Sequence, residues 1–274
     1  MTQVLGHSQR VVELTSLDDS RLAAYRNVAN PAALREAGLF VAEGRLVVQR
    51  LLASSRFRTR SVLVTRAAFD ALQETLAPVS APPVLIVSQG LMNEVAGFNF
   101  HRGCLALAER PPREVLDAAH LSSAHRVVVF EQVNNPDNVG GIFRSAAAFG
   151  VDLVVMGPGC SDPLYRKSIR TSMAATLQVP FVDAGAWPDA LDVLRDAGFA
   201  RIALTPAADA APLDQAPRDL ERAALLVGAE GDGLTEEALA LSDHRIRIAI
   251  AESVDSLNAT VAVSIALHHF RIGT

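Results

Sequence analysis

The stretch Asn134-Asn135-Pro136-Asp137-Asn138-Val139-Gly140-Gly141-Ile142-Phe143-Arg144-Ser145 stands between two apolar signals that decide how the chain folds. Before it, Val127-Val128-Val129-Phe130 is a continuous apolar run, the pattern of a strand buried on both faces. After it, Ile142, Ala146 and Phe149 recur at i, i+4 and i+7, which is one stripe of a helix. The stretch is therefore expected to be a polar loop from a buried strand end into a helix N-terminus, where open α/β sheets place their ligands. The bland reading of Gly140-Gly141 is a tight turn with a solvated arginine. The pair is not G-x-G-x-x-G, and no acid stands at the dinucleotide spacing, which argues against a Rossmann-type enzyme. Arg144 falls near the first helical turns, where a cation gains nothing from the macrodipole, so it is either solvated or functional.

Two further junctions repeat the design. Leu225-Leu226-Val227 runs into Gly228-Ala229-Glu230-Gly231-Asp232-Gly233, and Ile246-Arg247-Ile248-Ala249-Ile250 precedes Ser256-Leu257-Asn258 at the opening of a last helix. In order, spacing and residue types, these three junctions resemble the motifs of the SpoU (TrmH-type) RNA ribose methyltransferases of the SPOUT class, over residues 125–270. The resemblance implies a knotted α/β domain that binds S-adenosyl-L-methionine and methylates a ribose 2′-hydroxyl of ribosomal or transfer RNA. It implies catalytic roles for Asn138, Arg144, Glu230, Ser256 and Asn258, and cofactor contacts at Thr205, Gly228, Ile248 and Leu257. Asn135 stands where the family usually has Asp, Ala249 where Pro is common and Ala174 where Gly is preferred. The family's arginine is often made the general base. A guanidinium keeps its proton in proteins, which favours Arg144 as a cation that grips phosphate and stabilises charge on the attacking oxygen. The acid at Glu230 is expected either to bind Arg144 or to hold a backbone turn.

The first part of the chain alternates strand and helix signals and reads as a smaller α/β unit. Leu17–Val28 is expected as a helix. Phe40-Val41-Ala42-Glu43-Gly44-Arg45-Leu46-Val47 carries a Phe-Val-x-Glu-Gly pattern similar to the start of the substrate-binding domain that precedes many SpoU domains. Arg56-Phe57-Arg58-Thr59-Arg60 joins charge to an aromatic ring, a combination suited to RNA, the alternative being a solvated loop before the strand Val62-Leu63-Val64. Arg56, Arg58, Arg60, His101 and Arg102 are candidates to face RNA there. Lys167, the single lysine of the chain, and Arg170 are further candidates, in a segment resembling the family's Lys-x-x-Arg-x-Ser-x-Gly.

Charge separates the two parts. Residues 1–113 hold thirteen arginines against nine acids, and the remainder twelve basic residues against twenty-one acids, for a net charge of −5. A basic part on an acidic one suits a polyanion delivered to one site. The expected organisation is an α/β RNA substrate-binding domain over 1–110, a linker over 111–124 containing Pro111-Pro112, and an α/β SPOUT-type methyltransferase domain with a deep trefoil knot over 125–274. A homodimer through the C-terminal domain is expected, using Val261, Ala262, Ile265 and Ala266 of the last helix. No apolar run approaches the roughly 18 residues of a membrane span. Met1–His7 lacks the marks of a leader, and Cys104 and Cys160 form no metal or disulfide pattern, so a cytoplasmic, metal-free protein is expected. The alternative is an RNA-binding protein on the same scaffold without turnover.

Overall fold

The computed structural model describes residues 10–78, 81–251 and 253–270. Met1–His7, and with it the reading of a missing leader, lies outside them. The chain forms two compact units, Met1–Pro112 with Leu164–Leu177, and Arg113–Pro163 with Gln178–Thr274. The segment Leu164–Leu177, expected with the C-terminal domain, thus packs with the N-terminal unit.

The first unit holds β1 (Val11–Glu13), β2 (Leu39–Glu43), β3 (Thr59–Thr65), β4 (Val84–Val87) and β5 (Cys104–Glu109), in the order β1-β4-β3-β5-β2. β1 and β3 run parallel to β4, while β5 is antiparallel to both β3 and β2. β2 and β4 are buried at every residue, β4 as an unbroken apolar run and β2 as four apolar residues followed by Glu43. The helix expected over Leu17–Val28 is instead two 3-10 turns, Ser20–Leu22 and Tyr25–Asn27. Leu22, Tyr25 and Val28 are buried at a spacing of three, the period of a 3-10 helix. The Tyr25 hydroxyl is anchored on the Ser61 carbonyl oxygen at 2.9 Å.

The second unit is a seven-stranded sheet of β6 (Arg126–Phe130), β7 (Leu153–Met156), β8 (Phe181–Asp183), β9 (Ala200–Leu204), β10 (Ala211–Pro212), β11 (Ala223–Val227) and β12 (His244–Arg247). All its pairings are parallel, in the order β10-β12-β9-β11-β6-β7-β8. Every strand therefore ends on the same edge, and the loops after β6, β9, β11 and β12 leave from neighbouring positions. One core face gathers Val127, Val129, Val155, Ala203 and Leu226 under the helix Ala190–Asp196. The strand expected over Ile246–Ile250 stops at Arg247, so Ile248 sits on the loop beyond it. The stretch expected as a linker carries a short helix, Ala118–Leu121, and a bridge from Val115 to Asp183. Among the described residues no helix is long and apolar enough to cross a membrane.

Candidate active site

The decisive stretch is helical earlier than its glycines suggest. The helix spans Pro136–Ala148, with Pro at its first position and the Asn135 side-chain oxygen accepting from the Asp137 amide at 2.9 Å. Gly140 and Gly141 therefore lie inside a helix rather than in a turn, at a cost of about 1 kcal/mol each relative to alanine. Packing supplies the reason. The last helix, Ala259–His269, lies so close that a Cβ on Gly141 would sit 2.6 Å from Thr260 Oγ1. Further along the same contact, the hydroxyls of Ser145 and Ser264 share a hydrogen bond of 2.7 Å.

That close approach brings the three motif loops to one side chain. Asn258 caps the last helix, its Oδ1 accepting from the Thr260 amide at 3.0 Å. Its Nδ2 donates to Asn138 Oδ1 at 3.0 Å and to Glu230 Oε1 at 2.9 Å. Both amide hydrogens and the oxygen are thus used, which fixes the amide orientation and ties the first, second and third motifs together. Asn138 is buried, while Glu230 is exposed. Glu230 therefore binds Asn258, and the expected pairing with Arg144 does not form. Arg144, now in the third turn of its helix, is exposed and has no hydrogen bond or ion pair among the described residues. Ser256 is exposed just before the cap and is not joined to the Asn258 cluster by a hydrogen bond among the described residues.

The residues expected to hold the cofactor lie on the loops of the same edge. The Thr205 amide, just past β9, donates to the Ile246 carbonyl of β12 at 3.0 Å. Gly228 follows β11 and is buried beneath its own loop, since a Cβ there would lie 2.1 Å from the Gly233 carbonyl carbon. The loop closes on itself through paired Ala229 and Gly233 backbone bonds of 3.0 and 3.1 Å. Ile248 and Leu257 are half-buried. These four positions offer main-chain groups and apolar surface with no cation, a set compatible with an adenosine and a positively charged sulfonium.

Sequence reasoning missed Glu131, one residue beyond β6 and 1% exposed. It accepts from Trp187 Nε1 at 2.6 Å, from the Thr235 amide at 2.9 Å and from Thr235 Oγ1 at 2.8 Å. Thr235 caps the helix Glu236–Ala240 at the end of the Gly228–Leu234 loop, so Glu131 pins that loop from below. The signal was present: an acid directly after four apolar residues enters the core only with partners.

The arginines expected to face RNA belong to the first unit. Phe57 is buried, with Arg56 over its ring at 5.3 Å, so this ring packs in the core and is not free to stack on a base. Arg60 donates to Glu109 at 2.9 Å and Arg58 lies 3.7 Å from it; the Arg60 hydrogen bond first, and then the two charges, hold the Glu109 carboxyl below its ordinary range. His101 is exposed. Glu43, 4% exposed, draws in Arg166 at 2.7 Å, Arg102 at 3.2 Å and Arg170 at 3.9 Å. Arg166 also lies over the Phe98 ring at 4.9 Å. Lys167 is half-buried in the helix Arg166–Thr171. Among the described residues no group of His, Cys, Asp and Glu is arranged to hold a metal.

Known proteins resemble this chain in sequence and in fold. An uncharacterized tRNA/rRNA methyltransferase of Mycobacterium bovis is 42% identical over 277 residues, covering 96% of this chain and 95% of the relative. A Bacillus subtilis 23S rRNA (guanosine(2553)-2′-O)-methyltransferase is 30% identical over 165 residues, 58% of this chain and 65% of its own length. The structure of an AdoMet-bound rRNA methyltransferase from Sinorhizobium meliloti superposes with a TM-score of 0.80 at 22% identity, covering 95% of this chain and 97% of the other, a likeness of fold. The SpoU rRNA Methylase family matches residues 125–268, the stretch that holds all three motif loops and the Asn138–Glu230–Asn258 cluster. The chain belongs to the SpoU rRNA Methylase family, and by that membership is an RNA methyltransferase.

Proposed function

We propose that this protein transfers the methyl group of S-adenosylmethionine to a ribose 2′-hydroxyl of ribosomal or transfer RNA. The observation that carries the reading is Asn258, whose one side chain joins Asn138 in the first turn of the first-motif helix to Glu230 of the second-motif loop while capping the helix of the third. Such a tie has use where three loops must hold one ligand in a fixed pose, because in-line displacement needs reacting atoms aligned within roughly 3–3.5 Å.

Bound S-adenosylmethionine supplies an electrophilic methyl on a sulfonium. Thr205, Gly228, Ile248 and Leu257 would hold it. Asn138 and Glu230 act on Asn258, which sets the loop carrying Ser256 and Leu257. Arg144 remains cationic, grips an RNA phosphate with its planar fork and stabilises negative charge growing on the attacking oxygen. The proton leaves to phosphate or water.

Three further features belong to this proposal. The run before the last helix threads a loop to form the trefoil knot. The units divide the labour, residues 1–110 selecting RNA and residues 115–274 binding cofactor. Two copies pair in the cytoplasm through the last helix, where Val261 and Ile265 are 47% and 39% exposed one turn apart, while Ala266 is buried in the chain's own core.

Calorimetry with S-adenosylmethionine, followed by mapping of 2′-O-methyl sites in total RNA with and without the protein, tests the reading. Cofactor binding and at least one protein-dependent site are expected. A protein that binds RNA but takes no cofactor would leave only the binding role.

A further inference from the structure

The first unit carries a cleft of about 610 Å³ lined by Gly44, Arg45, Leu46, Gln49, Ala71, Leu72, His101 and Arg102. Two arginines and an imidazole line it, and no carboxylate does. Leu46 is 42% exposed within this polar wall, and Leu72 forms buried apolar floor. Arg45 and His101 make no hydrogen bond or ion pair among the described residues.

Arg102 is the exception, and its partner shows how the cleft is built. Glu43 ends β2 inside the protein and receives Arg102 Nε at 3.2 Å. Its other oxygen takes Arg166 at 2.7 Å, so the carboxylate is already neutralised from behind. Arg102 is held in place yet keeps half its side chain in solvent. Gly44 (φ +98°) turns the chain between Glu43 and the helix Arg45–Ala53, and a Cβ there would lie 3.5 Å from Arg102 Nη1. Buried acid, left-handed glycine and fixed guanidinium form one device that sets Arg102 beside Arg45.

We propose that this cleft binds a single unpaired nucleotide of the RNA substrate. Arg45 and Arg102 take its phosphate, and the base lies against His101 and Leu46 over Leu72. The proposal rests on the reading of the protein as an RNA methyltransferase and adds where, and in what form, the RNA is gripped. The chemistry favours a splayed nucleotide over a duplex. The volume of this open cleft falls within the range of about 300–1,000 Å³ found for small-ligand sites. A duplex is gripped along its phosphates and sugars and offers no base face, whereas single strands offer a ring to stack and a phosphate to pair.

The test uses the full chain with a fluorescent eight-nucleotide single strand and a duplex of matching sequence. Arg45→Glu and Leu46→Asp alter exposed side chains, and Arg218→Glu, an exposed site in the second unit, serves as the charge-matched control. Both cleft variants should lose at least tenfold affinity for the single strand, with a smaller loss for the duplex. S-adenosylmethionine affinity and melting temperature should stay unchanged, and the control should stay within twofold. Crosslinking with a 4-thiouridine strand should mark the peptides that contain His101 or Leu46. Single-strand affinity within twofold of wild type in both variants, or equal losses for strand and duplex, would overturn the cleft while leaving the methyltransferase reading intact. Failure of the wild-type protein to bind S-adenosylmethionine would instead strike that reading.

Discussion

Glu43 and Glu131 occupy the same kind of place in the two units, each at the C-terminal end of a buried strand and each nearly sealed from water. Their partners differ completely. Glu43 is met by the guanidiniums of Arg102, Arg166 and Arg170. Glu131 is met by neutral donors, an indole, an amide and a hydroxyl. A buried carboxylate has to be compensated, and the kind of compensation decides what the neighbourhood displays. Three cations on one acid leave a positive surplus, which suits a phosphate chain. Neutral donors on one acid order a loop without bringing any cation to it, which suits a cationic cofactor.

The largest effect should come from Arg144, an exposed cation of the second unit that no acid holds among the described residues. Arg144→Lys keeps the charge and loses the fork, and turnover should fall about 100-fold or more. Cofactor affinity should not move. The residual rate should stay low as pH rises to about 10, where a lysine titrates. Near-wild-type turnover at that pH would mean that the residue works as a base, and the charge-stabilising role would fall.

The two acids can be exchanged for their amides in parallel. Glu131→Gln turns an acceptor against three donors and should cost about 2–3 kcal/mol of stability, the worth of a hydrogen bond to a charged group. It should also weaken S-adenosylmethionine several-fold and leave RNA affinity alone. Glu43→Gln should do the reverse, lowering single-strand affinity because Arg102 is no longer held, with cofactor binding intact. Calorimetry for the cofactor and anisotropy for RNA read the crossed pattern. Parallel losses in both ligands for both variants would break the comparison.

Gly141→Ala probes the helix contact beneath the Asn258 tie. The new methyl would meet Thr260, a small-to-large change worth about 1–3 kcal/mol. Pairing it with Thr260→Ala should recover part of the loss, and a thermal-melt double-mutant cycle measures how much. Additive losses would place the constraint elsewhere.

The strands were legible because their signal is local. Val127–Phe130, Leu153–Met156 and Val84–Val87 lie within β6, β7 and β4, and a run of branched residues needs no distant partner to announce it. The joining of Asn138, Glu230 and Asn258 is of another kind. The resemblance named these residues, but no sequence pattern says that residues 120 positions apart share a hydrogen bond. The same limit explains Gly140-Gly141, where glycine signals a turn locally while the contact that requires it comes from Thr260. It also explains Phe57, whose sequence neighbours are arginines and whose spatial neighbour is Phe40 at 5.3 Å. The placement of Leu164–Leu177 with the first unit left no local trace. Glu43 recruits Arg166 across 123 residues, and only the fold brings them together.

A third acid places the smallest effect. Asp243 is paired with one cation, Arg201, through bonds of 2.9 and 3.0 Å, and also accepts from the Arg201 amide at 2.8 Å. These bonds from Arg201 hold the Asp243 carboxyl below its ordinary range, against a smaller opposing push from burial. Arg201 is buried, but Asp243 keeps 40% of its side chain in solvent, so screening limits the pair to about 1 kcal/mol or less. The sign follows from proton binding. The unfolded chain holds a proton on this group up to about pH 3.9, whereas the folded chain releases it sooner as pH rises. Stability from the pair is therefore fully present above the unfolded value and lost as pH falls through the lower folded one. Asp243→Asn should melt slightly below wild type at pH 7, and the gap should close as pH drops below about 4. Melting curves across that window decide the matter. A gap that stayed constant would mean that the amide and guanidinium bonds, rather than the charge, carry the stability, and Asp243 would then resemble Glu131 more than Glu43.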